Sequence, residues 1–295
     1  MKGEKWLKYR ITSGKGFKLS DFSTSVPIKQ PEPKELEQIF AKHKDEIADL
    51  QNKLFAENRQ ALLIILQGMD SAGKDSFIKH IMSGVNPQGL TIHSFKHPSG
   101  QEQAHDYLWR HYIYLPEQGQ ISIFNRSHYE NVLISKVHPE IVLAERIPGI
   151  DKLEKVNKAF WKERYNQINN FEEVLIQNGT QIIKFFLHLS KDEQRKRFLE
   201  RIDNKEKHWK FSSADISERD FWKDYQHVYE QAIAHTSTKS SPWYIIPVDD
   251  KWYTHFIGGN IILEKLREMN PAYPPVNKEE KELLRKAREK LEKEG

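Results

Sequence analysis

The chain of 295 residues contains no cysteine, which excludes disulfide bonds and zinc sites built on cysteine. No apolar run approaches the ~20 residues that span a bilayer, and the first residues lack the apolar core of a signal peptide. We find no internal repeat. The formal net charge is only +4 although 30% of the residues are charged, so local clusters of Lys and Arg matter more than their sum. We therefore expect a single cytoplasmic domain over residues 1–295 and no membrane partner.

Apolar segments typical of buried strands alternate with amphipathic segments typical of helices. This alternation predicts a three-layer α/β/α sandwich around a five-stranded parallel sheet. The predicted strands are 61–67, 90–95, 120–124, 181–187 and 243–248, the last near an edge because it contains Pro247. The predicted helices cover about 33–58, 74–83, 100–114, 127–136, 152–177, a segment from Ser190 onward, 217–235 and 251–269. We expect an irregular arm at 1–32 and a solvated helix or coiled-coil stub at 277–295.

The most informative segment is the loop between the first predicted strand and the next helix, with the sequence Gln67-Gly68-Met69-Asp70-Ser71-Ala72-Gly73-Lys74-Asp75-Ser76. Strand, GxxxxGK and helix in this order are typical of a phosphate-binding loop. Gly68 and Gly73 let the backbone wrap tightly, so that its N–H groups, including that of Ala72, face phosphate oxygens. Lys74 adds a positive charge. The alternative is a chance match with a surface turn, against which the flanking elements argue.

Two carboxylates distinguish this loop from the common pattern. That pattern has Ser or Thr after the lysine to hold Mg²⁺, whereas this chain has Asp75 there and Asp70 inside the loop. Carboxylates repel phosphates unless a cation lies between them. We therefore expect Asp70, Asp75 or both to bind Mg²⁺, with Mn²⁺ as a substitute, and the loop to hold a phosphate substrate other than an ordinary nucleoside triphosphate.

The residues after the third predicted strand are the next candidates. Carboxyl ends of parallel strands meet at one edge of a sheet, which brings residues 96–98 and Asn125-Arg126 to the phosphate loop. Arg126 is predicted to pair with phosphate oxygens and neutralise charge during transfer, the alternative being a helix-capping ion pair. Asn125 and Glu130 are candidate nucleotide contacts, although a solvated carboxylate explains Glu130 equally well. His128 is predicted to be a packed core histidine.

A basic helix after the fourth predicted strand is the second signal, starting at a capping box of Ser190 and Glu193. Three basic side chains spaced at i, i+4 and i+8 predict a positive stripe opposite Phe198 and Ile202. Like charges in register favour a lid over phosphates across 190–212, and a solvated face neutralised by neighbouring acids is the alternative. The candidate phosphate ligands of this lid are Arg197, Arg201, Lys205 and Lys210.

Three further basic residues are predicted to line the same cleft and to bind phosphate: Lys96, Arg110 and Lys136. With the lid they would form a positive track that suits an extended anionic substrate. Nucleic acid would suit such a track too, so the track alone does not decide the substrate. Four aromatic residues at helical spacings are predicted to belong to the core rather than to a base-stacking platform: Trp161, Trp222, Tyr225 and Tyr229.

Taken together, the motifs resemble the polyphosphate kinase type 2 family over roughly residues 10–270. The matching segments are Leu66 to Asp75, Ser94-Phe95-Lys96, Tyr107-Leu108-Trp109-Arg110, Ile123 to Glu130, Arg197 to Arg201, Glu206 to Ser212 and Pro242-Trp243-Tyr244. The resemblance implies reversible, Mg²⁺-dependent phosphoryl transfer between inorganic polyphosphate and a nucleotide. It also implies that the loop around Asp70 and Lys74 holds phosphates and metal, that Arg126 acts at the transferring group, and that 190–212 is a lid.

The segment 124–130 also suggests a subgroup. Its sequence Phe-Asn-Arg-Ser-His-Tyr-Glu resembles the members that accept both nucleoside mono- and diphosphates, whereas other subgroups have Ser-Trp-Tyr there. AMP and ADP, or GMP and GDP, would then be the acceptors. Two departures are the lack of a basic residue after His111 and Asn131 in place of a commoner aspartate.

Two other functions stay open at this point. One is a nucleoside monophosphate kinase that uses ATP as donor, which a change of donor would distinguish. The other is a basic module that binds nucleic acid or another polyanion without turnover, against which the two loop carboxylates argue. We expect no nucleic-acid partner and a homo-oligomer, either a dimer or a tetramer.

Overall fold

A six-stranded mixed sheet forms the centre of the protein in the computed structural model, which describes residues 4–26 and 33–294. Its strands are β1 (Arg10–Ile11), β2 (Ala61–Gly68), β3 (Leu90–Ser94), β4 (Ile121–Asn125), β5 (Thr180–His188) and β6 (Trp243–Pro247). The order across the sheet is β1-β6-β5-β2-β4-β3, and β1 alone is antiparallel to its neighbour. All residues of β2 are buried because layers of helices cover both faces, which explains its uninterrupted apolar sequence.

The five predicted parallel strands are confirmed, but the predicted strand count and the irregular arm are wrong. Residues 4–26 contain 3-10 helices at Glu4–Tyr9 and Leu19–Asp21 on either side of β1. The Leu19 side chain is buried, and its backbone N–H donates to the Glu230 carboxylate at 2.7 Å. A two-residue strand is too short to show a period of two, so the sequence pattern did not reveal it. Residues 1–3 and 27–32 of the predicted arm lie outside the described residues.

Helices cover both faces of the sheet, as the three-layer prediction requires. The α-helices are α1 (Pro33–Glu57), α2 (Lys74–Ile81), α3 (Gly100–Gln103), α4 (Trp109–Tyr112), α5 (Ile134–Val137), α6 (Glu140–Leu143), α7 (Lys158–Gln177), α8 (Lys191–Asp203), α9 (Ser213–Ser217), α10 (Trp222–Thr236), α11 (Lys251–Met269) and α12 (Lys278–Leu291). Further 3-10 segments are Pro87–Gly89, His128–Val132, Leu153–Lys155, Lys205–Lys210 and Glu218–Phe221. Leu62 and Ile64 of β2 pack with α1, α2 and α11, whereas Leu63 and Ile65 pack with α7 and α10.

Four helices predicted to be continuous are interrupted or begin later: those at 100–114, 127–136, 152–177 and 217–235. Short polar side chains accompany two of the changes. The side-chain oxygens of Asp106 and Asn157 accept hydrogen bonds from backbone N–H groups just after them, which favours a turn or a new helix start. Leu153, within the predicted helix 152–177, lies before the start of α7 and is 46% exposed.

The charged tail is a helix, as predicted. It begins with a capping box between Asn277 and Glu280, and the side chains of α12 are all exposed. Among residues 4–26 and 33–294, no helix combines the length and apolar character needed to cross a bilayer.

Candidate active site

The loop between β2 and α2 has the backbone of a phosphate-binding loop. Ser71 and Gly73 adopt left-handed φ values of 63° and 96°, which turn the chain tightly before α2 begins. The ammonium group of Lys74 folds back over the loop and donates to the backbone oxygens of Gly68 at 2.7 Å and Met69 at 3.2 Å. Burial lowers the pKa of Lys74, and the nearby Arg126 guanidinium lowers it further. Lys74 therefore lies over the loop and is held there by backbone oxygens.

Arg126 reaches the loop from the end of β4. Its left-handed backbone (φ 63°) turns the chain, and its N–H donates to Leu66 O at 3.0 Å. Its Nη2 donates to Asp70 Oδ1 at 2.8 Å, which pairs the predicted transfer arginine with a predicted metal ligand. Burial alone would lower the pKa of Arg126, but the carboxylates of Glu130 and Asp70 outweigh burial and raise it. The guanidinium is therefore a permanent positive charge beside the loop.

Asp75 lies in the first turn of α2 and collects contacts from two sides. Asn125 Nδ2 donates to Asp75 Oδ1 at 3.0 Å and to Ser94 Oγ at 3.2 Å, which joins the ends of β3 and β4 to α2. Lys210 Nζ donates to the other oxygen at 3.2 Å. Burial raises the pKa of Asp75, but the hydrogen bonds from Lys210 and Asn125 leave it below its ordinary value. Asp75 is therefore an anionic carboxylate at the edge of the loop.

Arg197 of α8 contacts the backbone of the phosphate loop. Its Nη1 donates to Ser71 O at 3.2 Å and Ala72 O at 3.1 Å, and its Nη2 donates to Val248 O. Its Nε donates to Glu193 at 2.9 Å, and the side chain is buried. Arg197, predicted to bind phosphate, thus donates its hydrogen bonds to protein oxygens and positions the loop.

The start of α8 differs from the predicted capping box. Ser190 Oγ accepts from the Glu193 N–H at 3.1 Å, as expected. The reciprocal bond is missing because the Glu193 carboxylate turns to Arg197, and Asp249 instead accepts from the Ser190 N–H at 2.9 Å.

The lid touches the loop through two of the predicted basic residues. Arg201 Nη2 donates to Ser71 Oγ at 2.7 Å, and its Nη1 donates to Lys210 O at 3.1 Å and Asp215 Oδ2 at 3.3 Å. Lys210 contacts Asp75 as described above. The segment 205–210 is therefore tied to both α8 and the loop, close to where a bound phosphate chain would lie.

Two predicted phosphate ligands point elsewhere. Because α8 ends at Asp203, Lys205 does not continue the helical stripe, and its side chain is exposed. Ile202, predicted to be buried beside that stripe, is 45% exposed. Lys136 Nζ donates to the Tyr165 hydroxyl at 3.1 Å and to Gln231 in the layer of α7 and α10, and burial lowers its pKa to about 8. The structure does not bring Lys136 to the loop.

A cleft of about 290 Å³ opens beside Arg126 between the ends of β3 and β4 and the helices α3 to α6. Lys96, Arg110 and Glu130 line it, as the sequence predicted. Arg110 donates to Lys96 O at 2.8 Å and lies 5.2 Å over the Phe95 ring, so it braces the wall of the cleft. Burial raises the pKa of Glu130, against the opposing effect of Arg126 and Lys74. The cleft offers mostly apolar surface, with charged side chains among its lining residues.

Several contacts of the site were not found from the sequence. Gln194 donates to Asp70 O at 2.9 Å, and Arg219 in turn donates to Gln194 Oε1 at 2.5 Å. Gln194 precedes Arg197 by three residues on one face of α8, a spacing that could have pointed to it. Arg219 and Asp215 come from the return of the chain after the lid, which no local pattern reveals. 

The predicted core residues around the site are largely confirmed. His128 is fully buried, with Nε2 3.4 Å from Glu172. Trp161, Tyr225 and Tyr229 are buried as predicted, and Trp222 is partly buried against the same cluster.

A phosphate loop at a helix start, an arginine at the end of the adjacent strand and a helical lid over the loop define a kinase of the phosphate-loop class. Within that class, the chain belongs to the polyphosphate kinase 2 family, whose model matches residues 30–274.

Known relatives agree with this assignment. The chain is 45% identical over 287 residues to an ADP-polyphosphate phosphotransferase of Rhodopseudomonas palustris, covering 97% of this chain and 98% of the relative. It is 44% identical over 225 residues to an AMP/ADP-polyphosphate phosphotransferase of Meiothermus ruber, covering 76% and 79%. The crystal structure of polyphosphate kinase 2 from Arthrobacter aurescens TC1 superposes with a TM-score of 0.82 at 35% identity, covering 92% of this chain and 91% of that one.

Proposed function

We propose that this protein transfers phosphoryl groups reversibly between inorganic polyphosphate and nucleoside mono- and diphosphates. The observation that carries the proposal is the Asp70–Arg126 pair at a phosphate loop in which Asp75 replaces the usual hydroxyl residue. Family membership and the names of two relatives support the same substrates. AMP and ADP are the proposed acceptors, with GMP and GDP as further candidates, because a third relative is named GDP-polyphosphate phosphotransferase.

The proposed chemistry needs positioning and charge neutralisation more than acid–base catalysis. The attacking group is a terminal phosphate oxygen of the nucleotide, which is already anionic near neutral pH. A new P–O bond forms there while the terminal bridging P–O bond of polyphosphate breaks, and the shortened chain leaves as an anion. Lys74 and Arg126 neutralise the charge that spreads over the transferring group. The lid residues Arg201 and Lys210 bind the donor chain and exclude water.

Asp70 and Asp75 suit a magnesium ion. Mg²⁺ prefers oxygen ligands and is commonly bound by one or two carboxylates together with substrate phosphates. Asp70 is paired with Arg126 and Asp75 with Lys210. The oxygens of both carboxylates therefore already face positive charge at the loop. When bound, Mg²⁺ would neutralise phosphate charge, and Mn²⁺ would serve as a substitute. Asp70 and Asp75 would hold it while Lys74 and Arg126 orient the phosphates.

The cleft beside Arg126 is the proposed site of the acceptor nucleotide. Arg126 and Glu130 line this cleft, and the phosphates of the nucleotide would lie beside them. Asn125, which is not one of the lining residues, precedes Arg126 at the end of β4 and donates to Asp75. The apolar walls farther out suit the nucleoside.

The first experiment mixes the purified protein with Mg²⁺, long-chain polyphosphate and AMP in the absence of ATP, and follows ADP and ATP by chromatography. Formation of both products is expected, and chelation of the metal with EDTA should abolish it. ADP without ATP would restrict the acceptor to monophosphates. No product, alongside ADP formation from ATP and AMP, would instead establish an ATP-dependent monophosphate kinase.

We also propose a cytoplasmic homo-oligomer, either a dimer or a tetramer. Nucleotide substrates support the location. The exposed apolar side chains of α12, Leu283, Leu284 and Leu291, support association between copies.

A further inference from the structure

Arg126 performs its proposed role from a strained backbone conformation. Its φ of 63° lies in the left-handed region, which is unfavourable for any residue with a side chain. Such a conformation persists only where the surrounding structure holds it. On the amino-terminal side, the Arg126 N–H donates to Leu66 O at 3.0 Å, so the sheet fixes that half of the turn. The other half of the turn depends on the contacts of Ser127.

A buried pair of polar side chains holds the residue after Arg126. Gln67 follows the apolar run of β2 and is fully buried, and its Nε2 donates to Ser127 Oγ at 3.1 Å. The same oxygen accepts from the Tyr129 N–H at 3.2 Å, at the start of the 3-10 segment His128–Val132. Ser127 is also buried, so bulk water does not compete for these bonds. Gln67 thus ties the strand that leads into the phosphate loop to the backbone that carries Arg126.

Stability alone does not account for a glutamine at position 67. Every residue before it in β2 is apolar, and its Oε1 has no hydrogen-bond partner among residues 4–26 and 33–294. A buried polar atom without a partner is unfavourable, so a half-satisfied amide is a poorer core side chain than an apolar one of the same shape. The contribution of the Gln67 amide is its bond to Ser127.

We infer that Gln67 is a positioning residue of phosphoryl transfer, which fixes Ser127 and thereby the direction of the Arg126 guanidinium. The inference rests on the proposed function. Gln67 does not line the cleft, and the guanidinium that it directs donates to Asp70 at 2.8 Å. Displacement of a reacting or catalytic group by about 1 Å can cost about 100-fold in rate. The alternative is an effect through Glu130, because burial raises the pKa of that carboxyl and a hydrogen bond from Gln67 opposes the rise.

Steady-state kinetics with polyphosphate and ADP distinguish these two effects. Gln67→Met removes the donor but nearly keeps the size of the side chain, and it should lower kcat about 10- to 100-fold without a change in the KM for ADP. Ser127→Ala removes the acceptor and should also lower kcat. Gln51→Met is the matched control, since Gln51 is a fully buried glutamine of α1 that accepts from the Asn86 N–H at 3.2 Å, and it should keep the wild-type kcat. Wild-type kcat in both site variants would overturn the inference, and a raised KM for ADP alone would assign Gln67 to Glu130 instead.

A double-mutant cycle separates positioning of Arg126 from a general effect on the fold. In the Arg126→Ala background, Gln67→Met should lower kcat no further, because the group that Gln67 directs is already absent. A general structural effect would instead lower kcat by the same factor in both backgrounds. That result would overturn the inference.

Crystal structures of the wild type and of Gln67→Met supply a readout that needs no turnover. In the variant, the turn at Arg126 should leave its left-handed φ, or the guanidinium should move away from Asp70. An Arg126 that keeps both its φ and its contact with Asp70 would contradict the positioning role. A displaced Arg126, in a protein whose wild type transfers no phosphate from polyphosphate, would refute the proposed function but support the positioning role.

Discussion

Arg126 contacts Asp70 of the phosphate loop and also lines the cleft. Its guanidinium contacts Asp70 in the structure, and its high pKa keeps it charged at any working pH. A strand-end arginine in this place can exchange one oxygen of the carboxylate for an oxygen of the transferring phosphoryl group. The residue therefore offers a sharp test of the proposed mechanism.

We expect Arg126→Ala to lower kcat about 10²–10³-fold, because it removes one preorganised charge from the transition state. Steady-state rates with AMP and polyphosphate would measure this effect, and thermal unfolding would verify that the variant is folded. Arg59→Ala, an exposed arginine outside the site, is the matched control and should keep the wild-type rate. A folded Arg126→Ala protein with near-wild-type kcat would remove Arg126 from the mechanism.

At the scale of elements, α8 supports the phosphate loop through buried Arg197. Three backbone oxygens, those of Ser71, Ala72 and Val248, accept from this one guanidinium. Hydrogen bonds from charged groups are the stronger ones in proteins, and buried acceptors without donors are costly. Arg197 is thus a positioning residue of the loop.

We predict that Arg197→Leu lowers the free energy of unfolding by about 1.5–3 kcal/mol, since charge-assisted hydrogen bonds to the loop are lost. Denaturant titration measures this change. The exposed neighbour Arg195 provides the control, because Arg195→Leu should stay within about 0.5 kcal/mol of wild type. Equal free energies of unfolding for the two variants would show that the contacts of Arg197 do not stabilise the fold.

A buried ion pair joins β5 to the helices behind it. Lys184 Nζ donates to Glu172 Oε2 at 2.6 Å and to Thr236 O at 2.7 Å, and both charged side chains are almost inaccessible to water. Glu172 also accepts from the hydroxyls of Tyr129 and Ser241, each at 2.7 Å. In the sequence Lys184 lies within an otherwise apolar strand, and no local pattern indicates this network.

Removal of one member of the Lys184–Glu172 pair should destabilise the fold more than replacement of both members by apolar residues. We expect Lys184→Met to destabilise the protein by about 3–5 kcal/mol, because it leaves Glu172 buried without its counter-charge. Lys184→Met combined with Glu172→Leu should cost less than the sum of the two single changes. A double-mutant cycle by denaturant unfolding measures the coupling, and strict additivity would contradict the paired arrangement.

For the molecule as a whole, the same network should contribute to stability in acid. Burial alone would raise the pKa of Glu172, but Lys184 and His128 lower it from 4.5 to about 2. A carboxyl with a depressed pKa stabilises the fold fully above its unfolded value and loses that contribution as the pH falls.

We therefore predict that the free energy of unfolding declines between about pH 4.5 and pH 2, and that Glu172→Gln flattens this part of the profile. Urea unfolding at a series of pH values would test it. An unaltered acid limb in the variant would mean that other carboxyls dominate acid unfolding.

The tail helix contributes little to the stability of one copy, because its side chains are all exposed. Removal of residues 277–295 should leave the free energy of unfolding of the monomer unchanged and should reduce the mass of any oligomer that α12 joins. Sedimentation and denaturant unfolding of the full-length and shortened proteins measure both effects. A less stable shortened monomer would show that the tail packs on its own subunit.

The alternating architecture, the five parallel strands and the phosphate loop could all be predicted from the amino-acid sequence. Each of these features depends on residues that are close together in the sequence. An apolar run predicts a strand, glycines at fixed spacing predict the loop, and periodic apolar residues predict a helix face. Asp75 followed from its place after the lysine of the loop pattern, and Arg126 from the rule that strand ends meet at one edge of a sheet.

Which basic residues reach the loop depends on how the segments fold together. Arg201 and Lys210 do so because the lid folds back, whereas Lys205 leaves the stripe where α8 ends and Lys136 turns to the layer of α7 and α10. Arg197, Gln194, the Lys184–Glu172 pair and β1 acquire their roles from partners distant along the chain. Periodicity describes one segment at a time, so contacts between segments are set by how the segments pack.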